Sequence, residues 1–257
     1  MIIANISSCS LNDERDKLSK EKNYLYNKEI IKNFSKAIKK NQNNFFFYLE
    51  RGKAKQSYGD FKGAINDFNY SFKLNPDKKF LFYAANAKFD YGDYTGAIRD
   101  YKKLIFIKDL KDQILFNIAS AELTNLNYKE AIKNYTKAIL YDANDHYAYL
   151  NRGNAKFKIA NYKGAVEDYS KSYSLQNKSF ISLNNSGVSK FILGNFKGAL
   201  EDFQRSLKIN PNNYNTLYNK SLTQFELKDK KKACIDLKKS IKLGKEVFED
   251  EYSKICN

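Results

Sequence analysis

The sequence predicts an all-α protein, a solenoid of repeated helix pairs, and two observations lead to this prediction. One is a fixed period of 33 or 34 residues, marked by a recurring alanine at Ala64, Ala97, Ala131, Ala165, Ala199 and Ala233. The other is that each period holds two segments whose apolar residues recur at helical spacing, as in Tyr162, Val166 and Tyr169. Periods in this range are typical of arrays in which each helix pair buries its apolar face against its neighbours.

The repeat is clearest in NRGNAK followed by NYKGAVEDY, within residues 151–169. It returns as ERGKAK followed by GDFKGAINDF, within residues 50–68. These segments resemble the tetratricopeptide repeat, in six units over residues 45–247 and more weakly over 11–44. The resemblance implies a right-handed superhelix of antiparallel helix pairs whose first helices line a concave groove. It also implies a protein–protein interaction scaffold rather than an enzyme.

The same apolar spacing places the helices of the six units. First helices are predicted near residues 45–58, 78–91, 112–125, 146–159, 180–193 and 214–227, and second helices near 61–74, 94–107, 128–141, 162–175, 196–209 and 230–243. The turns between them contain Gly, Asn and Asp, which tolerate left-handed backbone. Small residues, such as Gly153 on a first helix and Ala165 on a second, are expected to let the two helices approach closely around a core Tyr169.

Both ends of the array are expected to be capping units, because a terminal repeat has one face without a neighbour. Residues 11–44 are interpreted as a degenerate capping repeat, in which one helical face is formed by Ile30, Ile31, Phe34, Ala37 and Ile38. Residues 248–257 are interpreted as a C-terminal capping helix and tail. The side chains expected to cover the last repeat are Val247, Phe248, Tyr252 and Ile255.

Residues 1–10, MIIANISSCS, form an N-terminal segment that is either disordered or the remnant of a lipobox. The stretch from Ile6 to Cys9 resembles the lipobox of bacterial lipoproteins, in which the cysteine is lipidated. However, only five residues precede Ile6 and none is Lys or Arg, whereas a secretory signal has a basic start and an apolar stretch. We therefore expect a cytoplasmic protein. The alternative is a bacterial membrane-anchored lipoprotein, lipidated at Cys9, that acts as an envelope assembly scaffold.

Residues that could carry chemistry are few. The three cysteines, Cys9, Cys234 and Cys256, are odd in number, and their spacing fits neither a disulfide framework nor a metal site, which favours a reducing compartment. His146 is the only histidine, and the chain has no glycine-rich phosphate loop and no G-x-S-x-G nucleophile motif. The sequence therefore predicts neither an enzyme nor a catalytic, cofactor or metal site.

Opposite charges recur on the facing parts of the paired helices. First helices carry the cations Arg51, Lys55, Lys88, Arg152, Lys156 and Lys190, and second helices carry Asp67, Asp100, Asp168, Asp202 and Asp236. We expect structural ion pairs between the two sets, contributing about 0–1 kcal/mol each if they are exposed.

The most informative polar set is an asparagine ladder, formed by Asn117, Asn151, Asn185 and Asn219, which recur every 34 residues on the first helices. A side-chain amide offers both donors and acceptors, so a row of amides along a groove suits the main chain of an extended peptide. The resemblance implies this role, since tetratricopeptide proteins that bind peptides commonly use Asn at this place. The alternative is that these residues are helix surface in an Asn-rich chain.

Other candidate peptide-binding residues lie around the ladder. Asn86 and Asn154 stand three residues further along their helices. Phe157 and Phe191 recur beside the groove, where an aromatic ring offers apolar surface to a ligand side chain, although they fit packing against the next repeat equally well. The Lys and Arg clamp that family members use for acidic chaperone tails is incomplete, because Tyr147 and other uncharged residues stand at the matching places.

The chain is strongly basic, with a formal charge of +16 and an isoelectric point near 9.4. Such a balance suits an anionic partner, but a bias toward Lys, Asn, Ile and Tyr runs through the whole sequence, and genome composition explains it more simply. Many of the basic residues gather on the second helices, on the face expected to be convex. We expect a protein or peptide partner, no nucleic acid, and membrane contact only through a lipidated Cys9 or this basic convex face.

Overall fold

The computed structural model describes the backbone of residues 4–256 and the side chains of residues 22–256. Within that range the chain consists of α-helices, turns and one short 3-10 helix, and no β-strand is present. The chain divides into two compact units, Met1–Lys108 and Asp109–Asn257. None of the helices in the described part of the chain combines the length and the apolar character that crossing a membrane requires.

The first unit is an array of helices in which each helix packs against the next one along the chain. Its helices are α1 (Ala4–Lys40), α2 (Phe45–Tyr58), α3 (Phe61–Leu74), α4 (Lys78–Tyr91) and α5 (Tyr94–Leu104). Phe68 on α3 is fully buried and forms a core cluster with Leu49 on α2 and Phe80 on α4. The core of this unit therefore lies between successive helices, as the repeat pattern requires.

The second unit has the same plan. A 3-10 helix at Lys108–Leu110 leads into α6 (Lys111–Thr124), α7 (Tyr128–Tyr141), α8 (His146–Lys158), α9 (Tyr162–Leu175), α10 (Phe180–Ile192), α11 (Phe196–Ile209), α12 (Tyr214–Glu226), α13 (Lys230–Lys242) and α14 (Glu249–Cys256). Each of these helices packs against the next, and the first helices α6 and α8, and α10 and α12, also touch each other. Within this unit the first helices therefore form one layer.

All twelve helices predicted for the six repeats are present, and with one exception their ends agree with the predicted ends to within one residue. The exception is α5, which ends at Leu104 rather than at 107. The chain turns there, because the Ile107 N–H donates to the Leu104 carbonyl oxygen (2.9 Å) and leaves Phe106 exposed to solvent. The predicted solenoid of helix pairs is confirmed within each unit.

The N-terminal capping segment differs from a repeat. Residues 11–44 contain neither Gly nor Pro, and α1 runs through most of them as one helix instead of a pair with a turn. The predicted face of α1 does turn inward: Ile38 is buried, and the Phe34 ring packs 6.1 Å, centroid to centroid, from the Phe47 ring of α2. The second half of α1 thus takes the place of a second helix, while Cys9 lies outside the residues whose side chains the structure describes.

The turns between paired helices place one residue in the left-handed region. Gly59, Gly92 and Gly194 fill this position in three repeats, as expected. In the other three, the position is held by Leu126, Ala160 and Lys228, with φ of 62°, 59° and 66°. Sequence inspection alone would assign the left-handed residue to the neighbouring Asn or Asp. In two of these turns, however, that side chain (Asn161 or Asp229) is used as a helix N-cap, and in the third the Asn127 side chain donates to Glu122. Asn161, for example, accepts a hydrogen bond from the Gly164 N–H (3.1 Å).

Small residues do let the paired helices approach closely. A Cβ added at Gly153 would lie 2.8 Å from the Tyr169 ring, and one added at Gly187 would lie 2.6 Å from the Phe203 ring. Both distances are too short for a side chain unless the ring moves. The rings and their equivalents form the core expected between the helices, at most 2% exposed: Phe68, Tyr101, Tyr135, Tyr169, Phe203 and Leu237.

The predicted ion pairs form, but they are buried rather than exposed. Arg152 donates two hydrogen bonds to Asp168, from Nε (2.9 Å) and from Nη2 (2.7 Å), and Lys156 Nζ lies 2.9 Å from the same carboxylate. The Asp168 side chain is only 4% exposed. Matching pairs join Arg51 and Lys55 to Asp67, Lys88 to Asp100, Lys190 to Asp202 and Lys220 to Asp236. The small contribution to stability expected of an exposed ion pair therefore does not apply to these buried pairs.

The C-terminal helix α14 covers the last repeat, in part as predicted. Ile255 is 2% exposed and packs with Leu237, and Val247 and Tyr252 pack against the same cluster. Phe248 is 81% exposed, so its predicted role in the cap is wrong. It lies just before the first turn of α14, which begins at Glu249.

A disulfide contradicts the prediction that the cysteines are unpaired. Cys234 on α13 is bonded to Cys256 at the end of α14, with a Cα–Cα distance of 4.9 Å. Their separation of 22 residues suggested no framework, because sequence spacing does not show that α14 folds back onto α13. The bond ties the capping helix to the repeat that it covers.

Candidate functional site

The asparagine ladder lies on the layer of first helices in the second unit. Asn117, Asn151, Asn185 and Asn219 occupy the same turn of α6, α8, α10 and α12, and each is half-buried. A half-buried amide reaches solvent and also contacts its neighbours. We call this surface the ladder face.

Side-chain amides on the ladder face form a continuous chain of hydrogen bonds, which we call the amide chain. The Nδ2 group of Asn219 donates to Asn184 (3.2 Å), Asn184 donates to Asn185 (3.3 Å), Asn185 donates to Asn154 (3.2 Å), and Asn154 lies 3.5 Å from Asn151. Each Nδ2 donates to the Oδ1 of the next residue, so the amide dipoles point the same way. Three ladder residues, Asn151, Asn185 and Asn219, are thereby fixed in orientation by Asn154 and Asn184.

The amide chain is anchored to the core through a tyrosine. The Tyr169 hydroxyl donates to Asn154 Oδ1 (2.9 Å), so this oxygen accepts from both Tyr169 and Asn185. Burial raises the pKa of Tyr169 well above its ordinary value, and burial likewise raises the pKa of Tyr135 to about 12. Both hydroxyls are therefore neutral at any ordinary pH.

A cavity of about 500 Å³, which we call the ladder cavity, opens beside the amide chain. Its polar residues include Asn154 and Asn185, its walls are mostly apolar, and Lys158 lies at its edge. The apolar lining residues are Leu123, Leu126, Tyr128, Phe157, Tyr169 and Val188. A space of this size, apolar with a few convergent polar groups, suits a large side chain of a ligand.

The remaining predicted site residues lie elsewhere on the molecule. Asn219 and Phe191 line a second cavity of only about 30 Å³. Asn117 lines a third cavity, of about 190 Å³, together with the acidic side chains of Asp112, Asp142 and Asp145. This acidic surface differs in character from the ladder cavity.

Asn86 belongs to the first unit, where its Oδ1 accepts from the Tyr101 hydroxyl (2.5 Å). Phe157 and Phe191 pack edge-on against Tyr162 and Phe196, at centroid distances of 5.2 and 5.3 Å. Those partners begin the second helix of the same repeat. The rings therefore contact their own repeat, a packing arrangement that the sequence analysis did not consider, and Phe157 also faces the ladder cavity.

Comparison with known protein families decides the class of repeat. Three tetratricopeptide repeat models match in succession, over residues 116–179, 180–213 and 214–244, and together they span half of the chain. The chain belongs to the tetratricopeptide repeat family. Proteins of this family are generally non-enzymatic scaffolds, and the match supports a protein-interaction scaffold. A search of curated protein sequences gives no match.

Solved tetratricopeptide structures share the fold. The C-terminal part of a repeat protein from Cytophaga hutchinsonii is 16% identical, with a TM-score of 0.75 over 94% of this chain and 98% of that one. MamA of Desulfovibrio magneticus RS-1, from residue 41 onward, is 16% identical, with a TM-score of 0.61 over 66% of this chain and 96% of that one. YrrB, described as a tetratricopeptide protein with an unusual peptide-binding site, is 18% identical, with a TM-score of 0.59 over 73% of this chain and 97% of that one. At these identities the likeness establishes the fold alone.

The sequence analysis missed the role of Asn184 and the bond between Tyr169 and Asn154, although the repeats carry a signal for that bond. The core tyrosines Tyr101, Tyr135 and Tyr169 face Asn86, Ser120 and Asn154 at one register position, and each hydroxyl is bonded to that residue. In the next repeat the ring is Phe203, without a hydroxyl, and the facing residue is Val188. Polar residues therefore stand opposite these three tyrosines, and in the next repeat an apolar residue stands opposite Phe203.

The basic residues of the second helices are exposed. This holds for Lys102, Lys103, Lys129, Lys133, Lys137, Lys163, Lys171, Lys197, Arg205, Lys208, Lys238, Lys239 and Lys242. Among the described residues, no group of three or more His, Cys, Asp or Glu side chains is arranged to hold a metal ion.

Proposed function

We propose that the second unit captures an extended peptide segment of a partner protein on the ladder face. The observation that carries this proposal is the ladder cavity, an apolar space of about 500 Å³ next to the oriented amides of Asn154 and Asn185. Main-chain groups of the peptide pair with the amides. One large apolar side chain of the peptide enters the cavity.

The amide chain prepares the face for this role. Each amide nitrogen carries two N–H groups, and the chain of hydrogen bonds uses one of them. The remaining N–H groups of Asn151 and Asn185 can donate to peptide carbonyls. Because the amides are already held in position, little side-chain entropy is lost when the peptide binds. The peptide-binding site named for YrrB, a protein of the same fold, is consistent with a peptide partner.

The test begins with a peptide selected by the wild-type protein from a random display library. Its affinity is then measured by fluorescence anisotropy for the wild type and for an Asn151→Ala, Asn185→Ala double variant. We expect the double variant to bind about tenfold more weakly, since two hydrogen bonds of about 0.5–1.5 kcal/mol each are affected. A composition-matched control is Asn177→Ala, Asn212→Ala, because both of those residues are exposed in loops.

A third variant, Leu126→Asp, tests the ladder cavity itself. Leu126 is 69% exposed at the cavity edge, and Asp tolerates its left-handed backbone, so the fold is preserved. We expect a loss of affinity for peptides that carry a large apolar residue. Equal affinities for the wild type, the ladder double variant and the Leu126 variant would show that the peptide binds elsewhere. A pull-down from native lysate with the same variants then identifies the natural partner.

We further propose, as a second candidate, that the protein is a membrane-tethered lipoprotein that acts as a scaffold in the bacterial envelope. The observation that favours it is the Cys234–Cys256 disulfide, because disulfides persist in oxidising compartments and are rare in the cytoplasm. The lipobox-like stretch that ends at Cys9 is consistent with this location.

Thiol trapping in whole cells separates this candidate from a cytoplasmic scaffold. Cells are acid-quenched, and free thiols are labelled with a maleimide polymer before and after reduction. We expect two thiols to react only after reduction, and the protein to fractionate with membranes unless Cys9 is replaced by Ser. Three freely reactive thiols in a soluble fraction would rule the lipoprotein out.

A further inference from the structure

A fourth cavity in the second unit lies where one repeat lacks an arginine that two other repeats possess. On α8, Arg152 reaches across to Asp168 on α9 with two hydrogen bonds (2.9 and 2.7 Å), and its Nη1 donates to Thr136 Oγ1 on α7 (3.1 Å). On α2 of the first unit, Arg51 makes the same pair of bonds to Asp67 and a third to Ser35. The fold thus holds a guanidinium at this register position, between a carboxylate and a hydroxyl.

On α10 the register position of Arg152 is occupied by Ser186, whose side chain is much shorter than that of arginine and cannot span the same space. The residues at the neighbouring register positions are smaller as well: Leu183 stands in the place of Tyr149, and Ser170 stands in the place of Thr136. The space left open is a cavity of about 360 Å³, lined on one side by Ser170 and Ser186 and on the other by Asp202 and Arg205. We call it the Ser186 notch.

Of the two oxygens of the carboxylate in the notch, one has hydrogen-bonding capacity to spare. Asp202 Oδ2 accepts a hydrogen bond from Ser186 Oγ (2.6 Å) and lies 2.6 Å from Lys190 Nζ. Its Oδ1 lies 3.8 Å from Arg205 Nη1, which is longer than a hydrogen bond. The Arg205 side chain is 51% exposed and rests over the Tyr173 ring, 4.7 Å from its centroid. Arg205 can therefore move aside at little cost.

We propose that the Ser186 notch binds the guanidinium group of an arginine side chain presented by a partner protein. Asp202 Oδ1 and the Ser170 hydroxyl then accept the hydrogen bonds that Asp168 and Thr136 accept from Arg152. One carboxylate holding both a guanidinium and a lysine has a precedent in this chain, because Asp168 already holds Arg152 and Lys156.

Other ligand chemistries fit the notch less well. An anion that approached Lys190 and Arg205 in the notch would also meet the buried carboxylate of Asp202, whose side chain is 5% exposed. An ammonium group lacks the planar fork that pairs with a carboxylate and a hydroxyl at the same time. The notch shares only Tyr169 with the ladder cavity, so it is a separate site and does not depend on peptide capture there.

The test uses N-acetyl-arginine amide as the probe, titrated into the full-length protein and followed by ligand-observed NMR, with N-acetyl-lysine amide as the control. Ser186→Arg fills the notch from within, as Arg152 does in its own repeat, and should fold as well as the wild type. We expect saturable binding of the arginine probe to the wild type, at least tenfold weaker binding to Ser186→Arg, and weaker binding of the lysine probe throughout.

A gain-of-site variant provides the converse test. Arg152→Ser opens an equivalent space beside Asp168, and this variant should bind two probe molecules where the wild type binds one. Equal binding of the probe to the wild type and to Ser186→Arg would overturn the proposal. Binding of free arginine with no binding of the blocked probe would also overturn it, since the site would then recognise the amino acid rather than a protein side chain.

Discussion

The hydrogen bond between Tyr169 and Asn154 can be tested against an arrangement that the chain itself uses one repeat later. At the matching positions the chain has Phe203 and Val188, which line one small cavity together. The double variant Tyr169→Phe, Asn154→Val therefore converts a polar pair into an apolar pair that the same fold already accommodates. A double-mutant cycle over these two positions measures how strongly the residues are coupled.

The structure sets the expected free energies. Tyr169→Phe removes a hydroxyl from the core and leaves Asn154 Oδ1 with one donor, Asn185, at 3.2 Å, so it should cost about 0.5–1.5 kcal/mol. Asn154→Val removes the acceptor of a buried hydroxyl, which should cost about 1–3 kcal/mol. The double variant leaves no polar group unpaired in the core. We expect it to be more stable than Asn154→Val alone, with a coupling energy of about 1–2 kcal/mol.

The free energy of unfolding is measured by urea titration followed by far-UV circular dichroism, for the wild type, both single variants and the double variant. The slope of the transition must stay the same, because a repeat array can lose cooperativity when one repeat is weakened. The reverse conversion, Phe203→Tyr with Val188→Asn, serves as the matched control and should show a coupling of the same sign. A coupling below about 0.5 kcal/mol in both cycles would refute the reasoning, because independent sites add within that margin.

Three further predictions follow from single features of the structure. Asp168→Ala should lower stability by about 3–5 kcal/mol, because it leaves two partly buried cations unpaired. Glu130→Ala removes one partner of an exposed ion pair and should change stability by less than about 0.5 kcal/mol. Thermal denaturation compares the two variants. Ala160→Gly should raise stability by about 0.5–1 kcal/mol in urea, because it relieves a left-handed backbone at φ 59°. Burial raises the pKa of Tyr135 to about 12, and burial together with the Glu251 hydrogen bond raises the pKa of Tyr218 to about 12. Unfolded tyrosines ionise near pH 10, so stability should be complete below about pH 10 and fall between about pH 10 and 12, as urea midpoints at increasing pH will show.

Much of the fold could be predicted from the sequence because the same pattern of apolar and small residues recurs in each repeat. A single helix of 13 or 14 residues would be a weak prediction, but six copies in register fix its ends. The prediction failed where the pattern is not repeated. α1 continues through the expected turn, α5 stops early, and the exposed Phe248 was assigned to the cap. Each of these lies at an end of the array or at the boundary between the two units.

The candidate site was harder to predict, because a residue's register does not tell what its side chain touches. The four ladder positions were found from their spacing, but Asn151, Asn185 and Asn219 turn out to be joined through Asn154 and Asn184. Asn184 has no counterpart in the other repeats, so no periodic argument could find it. The disulfide was missed for the same reason, since it depends on how α14 folds back onto α13.

The surface features that distinguish this chain therefore lie at positions whose residues depart from the repeat pattern. A position that matches in every repeat serves the packing that all repeats share, and mutating it tests stability. Where one repeat has a smaller residue than the others, a space opens that a larger side chain fills elsewhere in the array. Ser186 is such a residue, because Arg152 fills the matching space in its own repeat. Stability and binding measurements should therefore distinguish these two kinds of position. Ser186→Arg should leave the fold intact and remove a ligand site, while Arg152→Ser should weaken the fold and create one.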